Sequence, residues 1–347
     1  DFPTYDNDYQ RPLPPEEMGT LESVRYPAPE STNPPGVHDM LVYTPKGYDP
    51  NRPTPYPTLY ISHGAGDHST AWFMQGVAHY IVQNAINEGV VQDMVVVSTD
   101  FNGLPGGTNG YANHLRNTVI PYIEAHYNVS TRPEDRAFGG FSAGGARACN
   151  LLYDHTDLFG YYAVWSAACG PANAAQIERI KNVPGGIVIG TGRQDRTTTF
   201  GPIEARANAL KAEGVDLVEF YMDGMHTWHV WRPQLNFYIR NIAFRTTTTD
   251  LAVEATRAGN SHNVRITATA TVDTVSTSVT PPSGTVAFYA GDTLLGTAEV
   301  KTDGPAAGTA TLRGAFHQDL LTEPIVAKYL GNDVLNGSDS APVTATF

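Results

Sequence analysis

The stretch Arg136–Arg147, RAFGGFSAGGAR, sets one serine among four glycines. Two readings of Ser142 compete: a nucleophile held on a sharp turn, or a hydroxyl in a glycine-rich bend. RAFGG reads as a short apolar strand, and the following ARACNLLYDH (146–155) can form a helix. Gly140-Phe-Ser-Ala-Gly144 then fits G-x-S-x-G in the strand–turn–helix context that presents a nucleophile. Glycines two residues either side of the serine spare a strained backbone the collision of side chains with neighbouring elements. The same turn puts the Ala143 N–H at a helix N-terminus, where a developing oxyanion is stabilised.

Working outward, short apolar runs alternate with helical patterns up to about residue 245. The runs are TLYISHG, DMVVVSTDF, RAFGGFS, YYAVWSA, GGIVIGTG and DLVEFYMDG; NHLRNTVIPYIEAHY and GPIEARANALKAEG lie between them with apolar residues three and four apart. That alternation predicts an α/β fold with a mostly parallel sheet flanked by helices. GTLESVRYPA and VHDMLVYTPKGYDP read as an antiparallel pair opening the sheet, and residues 1–18, rich in Pro and acidic groups, as an extended arm. The catalytic domain is expected over 19–244 and a Thr-rich linker over 245–250. Beyond it, NVRITATATV, GTVAFYAGDTLLGTAEV, GTATLRG, PIVAKYLG and APVTATF alternate at period two between turn residues. Residues 251–347 therefore read as an all-β sandwich.

With 347 residues, 41% hydrophobic and 16% charged, the chain can bury a large core, and its length favours two domains. A net charge of −13 argues against nucleic-acid and anionic-membrane partners, which reward basic patches. No run of eighteen apolar residues occurs, so no membrane span is expected. The chain begins at Asp1 without a signal-like segment, as a processed chain would. Its lean towards Gly, Pro, Thr and Tyr with few Lys is that of many secreted proteins. The two cysteines, Cys149 and Cys169, admit a disulfide or two buried thiols.

A serine nucleophile needs a base and an acid, in the chain order Ser, acid, His. His155, His226, His229, His262 and His317 follow Ser142. The last two fall in the β module, and His155 ends the helix that Ser142 opens. His226, in MDGMHTWHVW, stands directly after a strand and before a helix, where the base belongs; His229 is the rival. Asp195, just past the strand GGIVIGTG, is the acid, with Asp216 and Asp223 read as surface charges. A second oxyanion N–H is expected from Ala65 in HGAGDH, with Gly64 allowing close approach and His63 structural. Trp72, Trp228 and Trp231 admit a substrate-contacting reading and a core reading. The loop FNGLPGGTNGYANH (101–114) is read as flexible or as lining the acyl pocket. His63, Asp67 and His68 lack a helical metal framework, so no metal and no cofactor is expected. Asn128 and Asn336 open N-x-S patterns, relevant only in a eukaryotic secretory host.

YISHGAGDHSTAWF, GGFSAGG, GTGRQD and GMHTWHVWRPQL occur in an order and spacing that resembles the esterase D-like, feruloyl-esterase-type α/β-hydrolases of the first carbohydrate esterase family. Over residues 19–243 this resemblance implies Ser142 as nucleophile, Asp195 as acid and His226 as base, followed by Trp228 and Trp231. It also implies acyl groups on plant polysaccharide, feruloyl first and acetyl second. Gly-Met-His replaces the commoner Gly-Gly-His, and Ala143 stands where members often carry Met. Residues 251–347 resemble bacterial Ig-like modules of secreted enzymes, implying a spacer, wall-associated or weak carbohydrate-contacting role. Three other functions are compatible: an extracellular polyester depolymerase, a mycolyl-type acyltransferase, and a wall-binding protein without catalysis.

Overall fold

A computed structural model of the chain describes residues 7–347, and they form two units, one ending at Phe244 and one spanning Arg245–Phe347. In the first unit eight strands make one sheet: β1 (Thr20–Thr32), β2 (Pro35–Thr44), β3 (Thr58–Ser62), β4 (Val95–Thr99), β5 (Arg136–Phe141), β6 (Tyr161–Trp165), β7 (Gly186–Gly192) and β8 (Val218–Met222). Their order is β1-β2-β4-β3-β5-β6-β7-β8. β1 pairs antiparallel with β2 and β2 antiparallel with β4, and every later pair is parallel. The helices are α1 (Ala71–Met74), α2 (Ala78–Asn87), α3 (Gly107–His114), α4 (Ile120–His126), α5 (Ala143–Asp154), α6 (Ala174–Lys181), α7 (Phe200–Ala212) and α8 (Trp228–Asn241). This is the α/β-hydrolase arrangement. β3, β4, β5 and β6 are buried along their whole length, as the continuous apolar runs of a sheet covered on both faces require.

One expectation is corrected in this unit. The stretch 101–114 is not wholly a loop, because Gly107–His114 is helical and runs through a π turn, Leu115–Val119, towards α4. Gly and Asn disfavour a helix there, but Tyr111, Ala112, His114 and Leu115 are buried, and their packing outweighs that preference. The arm expected over 1–18 lies outside the described residues for its first six. From Asn7 onward it carries short helical turns at Asp8–Gln10 and Pro15–Glu17, tied down by Asn84, whose Nδ2 donates to the Tyr9 and Arg11 carbonyls.

In the second unit β9 (Thr247–Arg257), β10 (Asn263–Thr274) and β13 (Thr309–His317) form a three-stranded sheet. A four-stranded sheet contains β11 (Thr285–Ala290), β12 (Thr293–Glu299), β14 (Ile325–Tyr329) and β15 (Ser338–Asp339). Val264, Ile266, Ala268, Phe288, Ile325 and Ala327 are among the residues of the core between the inner faces. The threonine run read as a linker instead opens β9, pairing from Thr247 with Thr274. β-branched threonine suits a strand, and Thr247 and Thr249 point inward while Thr248 and Asp250 face out. APVTATF makes only an isolated bridge, Val343 to Ile325, rather than a full strand.

Candidate active site

Ser142 occupies the junction between β5 and α5 with φ +56° and ψ −118°, a region an L-residue enters only under constraint. The constraint is local crowding. A Cβ on Gly140 would lie 2.3 Å from the Gly144 carbonyl oxygen, and one on Gly144 would lie 2.4 Å from that of His63. Only glycine lets the chain fold this tightly. The Ser142 N–H donates to the Trp165 carbonyl, pinning the turn to β6.

Three side chains from three strand ends meet here. His226 Nε2 lies 2.9 Å from Ser142 Oγ, and His226 Nδ1 lies 2.7 Å from Asp195 Oδ2. A carboxylate only accepts, so the Nδ1–H donates to Asp195, and the bare Nε2 faces the serine hydroxyl. Asp195 is buried, and its Oδ1 accepts the Thr197 and Thr198 N–H groups at 2.9 Å each. The Thr198 hydroxyl also donates to the Ser166 carbonyl, tying the loop to the end of β6. Asp216 and Asp223 are exposed, as expected of surface charges, and Asp223 accepts from Arg193. His229 is exposed on the first turn of α8, and His155 sits at the end of α5.

Ala143 opens α5, so its N–H belongs to the first turn, whose donors have no helical acceptor. Gly64 approaches so closely that a Cβ there would lie 3.3 Å from the Ser142 Cβ, which brings the Gly64–Ala65 backbone beside the serine. Beneath it, fully buried His63 bonds Asp100 Oδ1 at 2.9 Å and the Gly64 carbonyl at 2.7 Å. Burial alone would raise Asp100, but hydrogen bonds from His63 and the Asn102 N–H outweigh it and hold the carboxyl below its usual range. The His63 ring stacks on Phe101 at 4.2 Å, and the Arg147 guanidinium lies 3.6 Å from the same ring's centroid while donating to the Ala143 carbonyl. The His63 side chain is structural, as its sequence context suggested.

The tryptophans separate. Trp72 is fully buried and donates to the Ser62 carbonyl at 2.9 Å, so its substrate-contacting reading gives way to the core one. Trp231 is also buried: it stacks on Phe141 at 3.9 Å, meets His226 edge-on at 5.0 Å and donates to Ser166 Oγ. It braces the imidazole instead of lining a cleft. Trp228 alone is half-exposed, its indole N–H held by Gln75 Oε1 at 2.8 Å. The sequence reading missed Ser166, buried at φ +48°, and the threonines that hold Asp195. Thr197 and Thr198 did carry a signal, since an aspartate turn accepts from N–H groups two and three residues on.

Cys149 on α5 and Cys169 after β6 are disulfide-bonded, with Cα atoms 5.4 Å apart. Among the described residues no group of histidine, cysteine and carboxylate side chains could hold a metal ion, and no helix is long and apolar enough to cross a membrane.

Residues 31–241 match the esterase family described as "Putative esterase". The chain belongs to the esterase family. Its residues 251–347 match the bacterial Ig-like domain, group 3. Among curated relatives, this esterase is 27% identical over 244 residues to an endo-1,4-beta-xylanase/feruloyl esterase of Xylanibacter ruminicola, covering 67% of this chain and 32% of that protein. It is 31% identical over 152 residues to endo-1,4-beta-xylanase Y of Acetivibrio thermocellus, covering 41% of this chain and 14% of the relative. The esterase thus spans a third or less of the length of these relatives. Among solved structures, the CE1 ferulic acid esterase of Anaeromyces mucronatus superposes with a TM-score of 0.60 at 23% identity, over 69% of this chain and 96% of that one. The feruloyl esterase module from Clostridium thermocellum, solved with sinapinate, gives 0.57 at 24%, over 69% and 91%. At these identities the likeness is one of fold.

Proposed function

We propose that this esterase removes acyl groups, feruloyl first and acetyl second, from plant cell-wall polysaccharide outside the cell, with Ser142, His226 and Asp195 as its catalytic triad. The observation that carries the proposal is the unbroken hydrogen-bonded chain from the strained Ser142 turn through His226 to buried Asp195. The xylanase and feruloyl esterase relatives support the substrate class. The disulfide and the Ig-like module favour an extracellular setting. In this reading residues 19–244 perform the chemistry, and 251–347 act as a spacer or wall-contacting module.

In the first half-reaction Ser142 Oγ attacks the ester carbonyl carbon and its proton passes to His226 Nε2. The carbonyl oxygen becomes an oxyanion facing the Ala143 and Ala65 N–H groups, and Asp195 orients the imidazole and balances its positive charge. The tetrahedral species collapses as His226 gives its proton to the departing sugar oxygen, leaving the acyl group on Ser142. A water molecule, deprotonated by the same nitrogen, then attacks the acyl carbon, and the proton returns to Ser142 Oγ as the acid leaves. Each backbone donor aimed at the oxyanion contributes on the order of 3 kcal/mol.

The test compares methyl ferulate, acetylated xylan and a polyhydroxyalkanoate film as substrates. Turnover of the first two that vanishes in Ser142→Ala is the expected result. Preference for the film would replace this reading with a polyester depolymerase. Acyl transfer to added trehalose in place of water would replace it with a transferase.

A further inference from the structure

A groove of about 490 Å³, lined by Trp228 two residues beyond His226, runs between the N-terminal arm, the end of β8 and the start of α8. Its volume lies within the ~300–1,000 Å³ typical of small-molecule sites. We infer that it is a subsite for neutral pyranose units of the polysaccharide chain that carries the scissile ester, an inference that rests on the esterase reading above.

Three aromatic side chains wall the groove: Tyr9 from the arm, Phe220 from β8 and Trp228 from α8. Aromatic faces pack well against the C–H faces of a sugar ring, and their cost in conformational freedom is low where they are already held. Trp228 is held twice: Gln75 accepts its indole N–H, and Trp72 and Trp231 meet its ring edge-to-face at 5.1 and 5.3 Å. Phe220 is fixed by a near-parallel stack on Phe237 at 4.2 Å. The amides of Asn7 and Gln10 stand at the edge, held to each other by the bond from Gln10 Nε2 to Asn7 Oδ1 at 2.9 Å, and each amide oxygen keeps a second lone pair that a sugar hydroxyl can use.

The charge of the groove selects a neutral ligand. Among the described residues no carboxylate lines it, although the chain carries a net charge of −13. The Arg232 guanidinium is engaged: Nε donates to the Gln75 carbonyl at 2.8 Å, Nη2 donates to the same oxygen, and Nη1 donates to Gln10 Oε1 at 3.4 Å. It fastens the arm to α8 and is poorly placed to recruit an anion. Continuity with the active site runs through side chains: Trp228 touches Trp231, which touches His226. A sugar packed on Trp228 is therefore separated from the catalytic imidazole by the single indole of Trp231.

Binding is best read on full-length Ser142→Ala, which cannot turn over, titrated with ester-free xylo-oligosaccharides. Trp228 is the half-exposed indole, so saturable quenching of tryptophan fluorescence is expected. Tyr9→Ala in the same background should raise Kd at least about fivefold, while Tyr9→Phe, which keeps the ring, should restore it. In the otherwise wild-type enzyme, Tyr9→Ala should lower the ratio of kcat/KM for a feruloylated xylo-oligosaccharide to that for methyl ferulate by about the same factor. Absence of saturable quenching overturns the inference. So does equally tight binding by Tyr9→Ala and Phe220→Ala, which would place the sugar elsewhere on the chain. Failure of the wild type to hydrolyse methyl ferulate would count against the esterase mechanism instead, a separate readout.

Discussion

The described residues of the hydrolase unit include a pair of hydroxyl–imidazole–carboxylate chains that can be compared directly. In one, Ser142 Oγ, His226 and Asp195 are linked at 2.9 and 2.7 Å; in the other, Tyr26 Oη, His114 and Glu30 are linked at 2.7 and 2.5 Å. By distance alone the second is the tighter. What separates them is surroundings. Ser142 sits on a strained turn at a helix N-terminus, beside a second close-approaching backbone segment, with the imidazole partly open to solvent. Tyr26 lies inside β1 with no exposed surface, and burial drives its phenol well above the ordinary range. A relay without access or an oxyanion site is a structural hydrogen-bond network, so triad geometry is necessary for the chemistry and far from sufficient.

The comparison breaks most sharply at the two hydroxyls. Ser142→Ala should lower kcat on p-nitrophenyl acetate by about 10⁴-fold or more, with the melting temperature unchanged. Tyr26→Phe should leave kcat within about twofold, since the hydroxyl it removes reaches no substrate. A fluorophosphonate probe, followed by peptide mapping, should label Ser142 and not Tyr26. Labelling at Tyr26 would erase the distinction drawn above.

At the carboxylates the expected effects are smaller. Asp195→Asn keeps the size of the side chain but loses the charge that selects the imidazole tautomer, and kcat should fall by about 10³- to 10⁴-fold. Glu30→Gln should change kcat by less than about twofold. Equal losses in steady-state assays of the two variants would mean that both networks serve the reaction.

Much of the first chain was legible in the sequence because each member sits at a strand end marked by its own short motif. GGFSAGG, GTGRQD and GMHTW carry the glycines and turn residues that such positions require, and the strand–helix alternation orders them. The second chain was illegible. Tyr26, Glu30 and His114 carry no turn signature, and they meet only because α3 is helical and buried, against the local preference of TNGYANH. The threonines of 246–249 failed for a related reason: a polar repeat between two domains looks like a spacer until a partner strand gives it an inside and an outside. The tryptophans near His226 could not be sorted by sequence either, since core and cleft both accept an indole. Hydrogen bonds to Ser62, Ser166 and Gln75 sorted them.

The buried network should also show itself in stability. Tyr26→Phe leaves the His114 Nε2 without its partner inside the core, at a cost of about 1–3 kcal/mol. Chemical denaturation should show this as a lower midpoint with an unchanged slope.

The smallest expected effect is in pH dependence, and its sign follows from burial. Desolvation lowers His114 from the ordinary imidazole value of 6.5, against the opposing pull of Glu30 and with the help of neighbouring His38. The unfolded chain therefore binds a proton there before the folded one does, and stability falls as pH drops below about 6.5. Glu30 acts lower: burial pushes it up, but bonds from Thr118, the backbone and His114 hold it below 4.5, so its contribution fades as pH falls further. Melting temperature should therefore be lower at pH 5 than at pH 7 from the histidine alone. His114→Gln should flatten that part of the curve and leave the steeper fall below pH 4.5 in place. A wild-type curve that rises towards pH 5 would mean that His114 is protonated in the native fold, and the inner network would then be an ion pair with Glu30 in place of a neutral relay.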